Sequence, residues 1–141
     1  MYKKILVALE NSLTDQSLIP HIAELAKCHP SQLLLVHVAE GWAARHYDDL
    51  LLKDSEEMIK DRQYLEETAE SLRGQGLFVE TILARGEPSK EILNIAGKEN
   101  CDLIAMTSHG HRFFADLFLG STIEEVRHRS AIPMLIVHGH P

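Results

Sequence analysis

Residues 102–138 read DLIAMTSHGHRFFADLFLGSTIEEVRHRSAIPMLIVH, and their reading decides the fold. The stretch opens and closes on short apolar runs, DLIAMTS (102–108) and PMLIVH (133–138). Runs with no polar alternation are what strands covered on both faces look like. Between them lie a glycine-bracketed segment and, over 122–129, a predicted short helix after Gly120. A strand, a helix and a second strand in one direction imply a parallel pair, because parallel strands need a crossover of a dozen or more residues.

The same signals recur upstream. KKILVAL (3–9) and QLLLVHV (32–38) are further continuous apolar runs, and LFVETIL (77–83) alternates enough to suit an edge. Residues 13–27 place Leu18, Ile22 and Leu25 on one helical face, with Ile19 and Ala26 beside them. Pro20 falls inside this segment and predicts a kink or a late start, since it removes a backbone donor. Residues 55–73 carry a stripe of Met58, Leu65, Ala69 and Leu72 on an otherwise charged helix, which Gly74 and Gly76 end. In residues 88–99, Pro88 suits the first helical position and Ile92, Leu93 and Ala96 form the apolar side. Alternation of this kind predicts one α/β domain over residues 1–141, a doubly wound parallel sheet of five strands with right-handed crossovers.

In such sheets ligands bind at the carboxyl ends of the strands, where strand order reverses. The loops to examine are therefore Glu10–Ser12, Ala39–Trp42 and Thr107–Gly120. The longest irregular connection is expected over Ala39–Asp54, which holds the single tryptophan, Trp42. No repeat, low-complexity tract or second domain stands out.

Composition narrows the function classes. The chain of 141 residues is 45% hydrophobic and 25% charged, as a globular domain should be. Its net charge of −7 argues against non-specific binding to nucleic acid or anionic membrane, which needs a basic surface. No apolar run reaches the roughly 18 residues of a membrane span. The opening MYKKILVAL is too short for a signal peptide and has no cleavage region. Cys28 and Cys101 form no CxxC pair, so free buried thiols and a cytoplasmic location are expected.

Several constellations invite chemistry. His109-Gly110-His111 and His138-Gly139-His140 offer metal-type ligands, but this spacing matches no zinc pattern and the second pair lies in a tail. Ser108 beside histidines suggests a nucleophile, yet there is no GxSxG elbow and no identified acid partner. No catalytic residue is assigned. Ser121-Thr122-Ile123-Glu124 has the form of a capping box and marks a helix start. Amides at Gly120, Ser121 and Thr122 would then face an anion, while Gly110 permits close approach and His111 or Arg112 adds charge. A capped helix that binds nothing explains the same residues. The apolar run Phe113–Leu119 suits a turn packed on the core, and the acidic residues Asp54–Glu57, Glu66, Glu67 and Glu70 a solvated helix face. Gly86-Glu87-Pro88 reads as a turn opening a helix. Glu10 is either a solvated carboxylate or an acceptor for ribose hydroxyls.

With these residues in place the chain resembles the universal stress proteins over essentially its whole length. The landmarks are MYKKILVAL, LLLVHV, the GEPSKEI step, and the closing run from Asp102 to Val137. The family's nucleotide-binding branch carries G-x2-G-x9-G-[ST] after the fourth strand; here Gly110, nine residues, Gly120 and Ser121 match. The resemblance implies a sheet order of 3-2-1-4-5, a homodimer paired through the last strand, Pro133–Val137, and binding of ATP or another adenine nucleotide, with Mg²⁺ as a possible companion. It implies Ala8 and Val38 at the adenine, and Glu10 at the base or ribose. Thr107, Ser108, His109, Gly110, His111 and Arg112 would follow the ribose and phosphates, and Gly120, Ser121 and Thr122 would hold the terminal phosphates. Two positions depart from the pattern. Thr107 stands at the first motif glycine, and Glu10 stands where binding members usually carry aspartate. A protein acting through protein–protein contacts, or a slow ATPase, are the other function classes the sequence leaves open.

Overall fold

The computed structural model describes residues 1–39, 49–108 and 114–139, with the side chains of 49–55 and 114–120 outside the description. The order is β1 (Lys4–Ala8), α1 (Asp15–Cys28), β2 (Gln32–Ala39), α2 (Asp49–Arg73), β3 (Phe78–Arg85), α3 (Pro88–Lys98), β4 (Leu103–Ser108), α4 (Phe114–Arg129) and β5 (Met134–His138). All neighbouring strands pair in parallel, in the order β3-β2-β1-β4-β5.

Strand alternation sorts the apolar residues into two cores. Ile5 and Val7 of β1, with Leu33 and Leu35 of β2, face Leu18, Ile22 and Ala26 of α1 and Leu65, Ala69 and Leu72 of α2. Leu6, Leu34 and Val36 point the other way, to Ile92, Ile95 and Ala96 of α3 and Val126 of α4. Ile5, Leu6, Leu33, Leu34 and Ile104 have no exposed surface, which is why the central strands are unbroken apolar runs. Each such side chain contributes about 1.5–3 kcal/mol of burial.

Polar groups set the register where the strands begin. The Asp102 carboxylate accepts from the amides of Lys3 (2.8 Å) and Lys4 (3.0 Å), and Lys4 Nζ donates to Glu99 at 3.0 Å. These contacts tie the start of β4 to β1. The turn at Gly86 has φ +140°, and Pro88 opens α3 as its composition predicts. Gly76, at φ +86°, follows the end of α2.

The structure differs from the sequence expectation at four places. α2 begins at Asp49, so residues 49–54 are helical rather than part of an irregular connection; Trp42 lies outside the described residues. α4 begins at Phe114 rather than at Thr122, and runs through Gly120. The Ser121-Glu124 box thus sits within a helix and not at its start. α1 starts at Asp15 rather than Leu13, and it carries Pro20 inside it, where the sequence placed it. Cys28 is exposed at the end of α1, and only Cys101 is a buried thiol. The expectation that Phe113–Leu119 packs on the core falls outside the described side chains.

Candidate functional site

Strand order reverses at β1, which has β2 on one side and β4 on the other. The carboxyl ends of β1 and β4 therefore frame the crevice where ligands bind in sheets of this kind. A cluster of mutually bonded polar side chains lies there. They come from the β1–α1 loop, the end of β4, β2 and the middle of α2.

Glu10 follows β1 by two residues and is half-buried. One carboxylate oxygen, Oε2, accepts from Thr14 Oγ1 at 2.9 Å and Ser12 Oγ at 3.2 Å. The other, Oε1, accepts from Thr107 Oγ1 at 3.4 Å. Thr107 is 1% exposed in β4, and its hydroxyl reaches across to the β1 side. Glu10 and Thr107, the two departures from the family pattern, thus touch one another. The backbone at Thr107 has no positive φ, since Asn11 and Asn100 are the non-glycine residues in that region. Threonine is accommodated there as an ordinary strand residue.

The loop carrying Glu10 is built around Asp15. This carboxylate has no exposed surface. It accepts from the amides of Glu10 (3.0 Å) and Asn11 (2.8 Å), with Ser12 at 3.4 Å. The Tyr64 hydroxyl of α2 donates to it at 2.6 Å. Burial and the adjacent Asp15 charge push the Tyr64 hydroxyl above the ordinary tyrosine range, so it stays a donor. Asn11 sits at φ 59°, a left-handed position that asparagine tolerates, and its side-chain amide donates to Asp61 at 2.8 Å. His37 of β2 binds the Leu9 carbonyl through Nδ1 at 2.8 Å; a carbonyl only accepts, so Nδ1 carries a proton. Its Nε2 faces Asp61 at 3.3 Å. α2 thereby grips both the loop and β2.

Ala8 ends β1 and Val38 stands near the end of β2; both are partly buried and pack against the α3–α4 core. Ser108 closes β4, and its carbonyl accepts from the Gly139 amide at 2.7 Å. Thr122 is buried and Ser121 exposed, both within α4. In a helix each amide donates to the carbonyl four residues back, so those of Gly120–Thr122 are committed to α4 rather than presented to an anion. His109, Gly110, His111 and Arg112 lie outside the described residues. Sequence reading placed Ser12 in a candidate loop but missed Thr14, Asp15, His37, Asp61 and Tyr64. Thr14-Asp15 carried a signal as a polar helix start next to Glu10. Tyr64 and Asp61 carried none, because their partners are about fifty positions away in the chain.

A five-stranded parallel sheet with helices on both faces and a polar cluster at its switch point defines the class: a doubly wound α/β protein. The universal stress protein family model matches residues 1–138, and the chain belongs to that family. It is 30% identical to universal stress protein YxiE of Bacillus subtilis over 97% of this chain and 99% of that one. It is 29% identical to universal stress protein MJ0577 of Methanocaldococcus jannaschii, over 97% and 95%. The solved structure of MJ0577 superposes with a TM-score of 0.84 at 27% identity, covering 100% of this chain and 99% of that one. Two structures at 20% identity share the fold. One is a universal stress protein in complex with cAMP, with a TM-score of 0.72 over 97% of each chain. The other is the universal stress protein of Archaeoglobus fulgidus in complex with dAMP, at 0.69 over 96% and 98%.

Proposed function

We propose that the chain is a dimeric stress-response or signalling module that binds an adenine nucleotide in the β1–β4 crevice. The observation that carries this reading is the Glu10 carboxylate, held at the switch point by three hydroxyls, two from its own loop and one from β4. A half-buried carboxylate at that place is an acceptor suited to sugar hydroxyls or an exocyclic amine. The complexes of like-folded proteins with cAMP and dAMP support the same ligand class. In this reading Ala8 and Val38 flank the adenine. Thr107 through Arg112 follow the ribose and first phosphate.

Terminal phosphates make a further demand. For Gly120, Ser121 and Thr122 to offer amides, α4 must begin at Thr122, with Ser121 as its cap, instead of at Phe114. The Ser121–Glu124 box is suited to cap the shortened helix. Among the described residues no three His, Cys, Asp or Glu side chains group as a metal site. In this reading Mg²⁺ bridges the ligand's phosphates without a dedicated cage of carboxylates.

The second copy is proposed to join at β5. This edge strand carries Ile136 39% exposed, and an apolar strand edge is a template for pairing. The test of the nucleotide reading is direct. Freshly purified protein is denatured, its supernatant is run on anion exchange, and the stripped protein is titrated with ATP and AMP by calorimetry. Released nucleotide or binding is expected; neither, at millimolar ligand, overturns the reading.

A further inference from the structure

The start of α1 uses its polar side chains in an unusual way. Thr14 occupies the N-cap position, where a threonine hydroxyl ordinarily accepts a helix amide. It makes no such bond. Its hydroxyl donates to Glu10 instead, at 2.9 Å, and lies 2.7 Å from Ser12 Oγ. Thr107 repeats the pattern in β4. It is 1% exposed, in a run of Leu103, Ile104, Ala105 and Met106 that is otherwise apolar, and its hydroxyl is directed at the other Glu10 oxygen. A valine would fill that place without burying a polar group. On the far side of Thr14 stands Gly139, where an added Cβ would come within 3.0 Å of both Thr14 Cβ and Cγ2. The glycine closes on the methyl face of Thr14 while the hydroxyl engages Glu10. Two buried threonines from separate elements thus hold one carboxylate by its two oxygens, across the gap between β1 and β4.

We propose that Thr14 and Thr107 are positioning residues that set the sugar selectivity of the crevice. They aim the Glu10 carboxylate at a ribose hydroxyl of a ribonucleoside. The proposal rests on the nucleotide reading above. A carboxylate only accepts, so what it holds in a ligand is a donor, and a ribose offers two adjacent donors where a 2′-deoxyribose offers one. The extra methylene of glutamate gives the reach to meet Thr107. Glu10 and Thr107 therefore work as a pair, and replacing one alone unsettles the other.

The test uses the full chain freed of nucleotide, with AMP and 2′-deoxy-AMP titrated separately by calorimetry. The wild type is expected to favour AMP by roughly ten-fold, as one bond to a charged acceptor allows. Thr14→Val and Thr107→Val keep shape and remove the donor, so both are expected to bring the ratio toward one while AMP still binds. Thr14→Ser and Thr107→Ser restore it. Glu10→Gln is expected to collapse the ratio by itself, and Thr107→Val added to it to change nothing further. A ratio unchanged in both valine variants, with AMP bound, overturns the positioning role and leaves the nucleotide reading standing. Equal affinities in the wild type do the same. A wild type that binds neither ligand overturns both.

Discussion

Asp15 is a carboxylate without exposed surface, tolerable because amide hydrogens and the Tyr64 hydroxyl replace water around it. Asp15→Ala leaves those donors without a partner and is expected to cost about 2–4 kcal/mol in urea unfolding. A loss under about 1 kcal/mol would mean that the loop is held by other contacts. Titration gives a second handle at this scale. Burial pushes the Cys101 thiol from 9.0 up to about 11. Tyr64 is raised by burial and Asp15, and Lys4 by its bond to Glu99. Each holds its proton more tightly folded than unfolded. Their contribution is therefore complete below about pH 9 and is lost as pH rises beyond it. Unfolding free energy should fall between pH 9 and 11, and a flat or rising profile contradicts the assignment. Near neutral pH a disulfide reagent should label exposed Cys28 at once and Cys101 only on unfolding.

At the scale of elements, α4 carries two competing instructions. Helical bonding runs unbroken from Phe114, yet Gly120 and the Ser121–Glu124 box are signals for a helix that starts later. Glycine inside a helix costs about 1 kcal/mol relative to alanine, which keeps the longer form only modestly preferred. Gly120→Ala should favour the long helix and weaken ATP by several-fold, while AMP, which has no terminal phosphates, is affected less. Equal effects on both ligands would separate α4 from phosphate capture. Loss of far-UV helix signal on adding ATP, but not AMP, is the companion measurement. The α2 boundary has a similar lesson. Residues 49–54 join the helix although the apolar stripe begins only at Met58, because a helix once nucleated extends at little cost.

For the whole molecule, β5 and β3 are the two edges of the sheet. β3 opens with Phe78 72% exposed, and charged Glu80 and Arg85 interrupt it. Charge on an edge discourages pairing, whereas β5 reads MLIVH with no acid or lysine. Ile136→Lys is expected to convert a dimer to monomer in sedimentation while leaving the circular dichroism unchanged. A wild-type monomer at tens of micromolar, or a dimer untouched by the substitution, would remove β5 from the interface. The core supplies a control. Ile104→Ala should cost about 2–5 kcal/mol without altering oligomeric state, since Ile104 has no exposed surface.

The strands, their parallel direction and the two-sided core were readable in the sequence, because unbroken apolar runs such as ILVAL and LLLV alternate with helical segments, whereas the strand order came only from the family resemblance. Glu10 and Thr107 were also marked out as positions of interest. Their contact was not, for they are 97 residues apart and meet only because β1 and β4 are neighbours. Tyr64, His37 and Asp61 escaped for the same reason: a polar residue declares itself through partners, and theirs come from other elements. Local pattern determined which segments are strands and helices, since burial period and turn chemistry are properties of a few adjacent residues. Tertiary structure decided where α4 begins and what Glu10 touches, because both depend on which surfaces the packed sheet brings together.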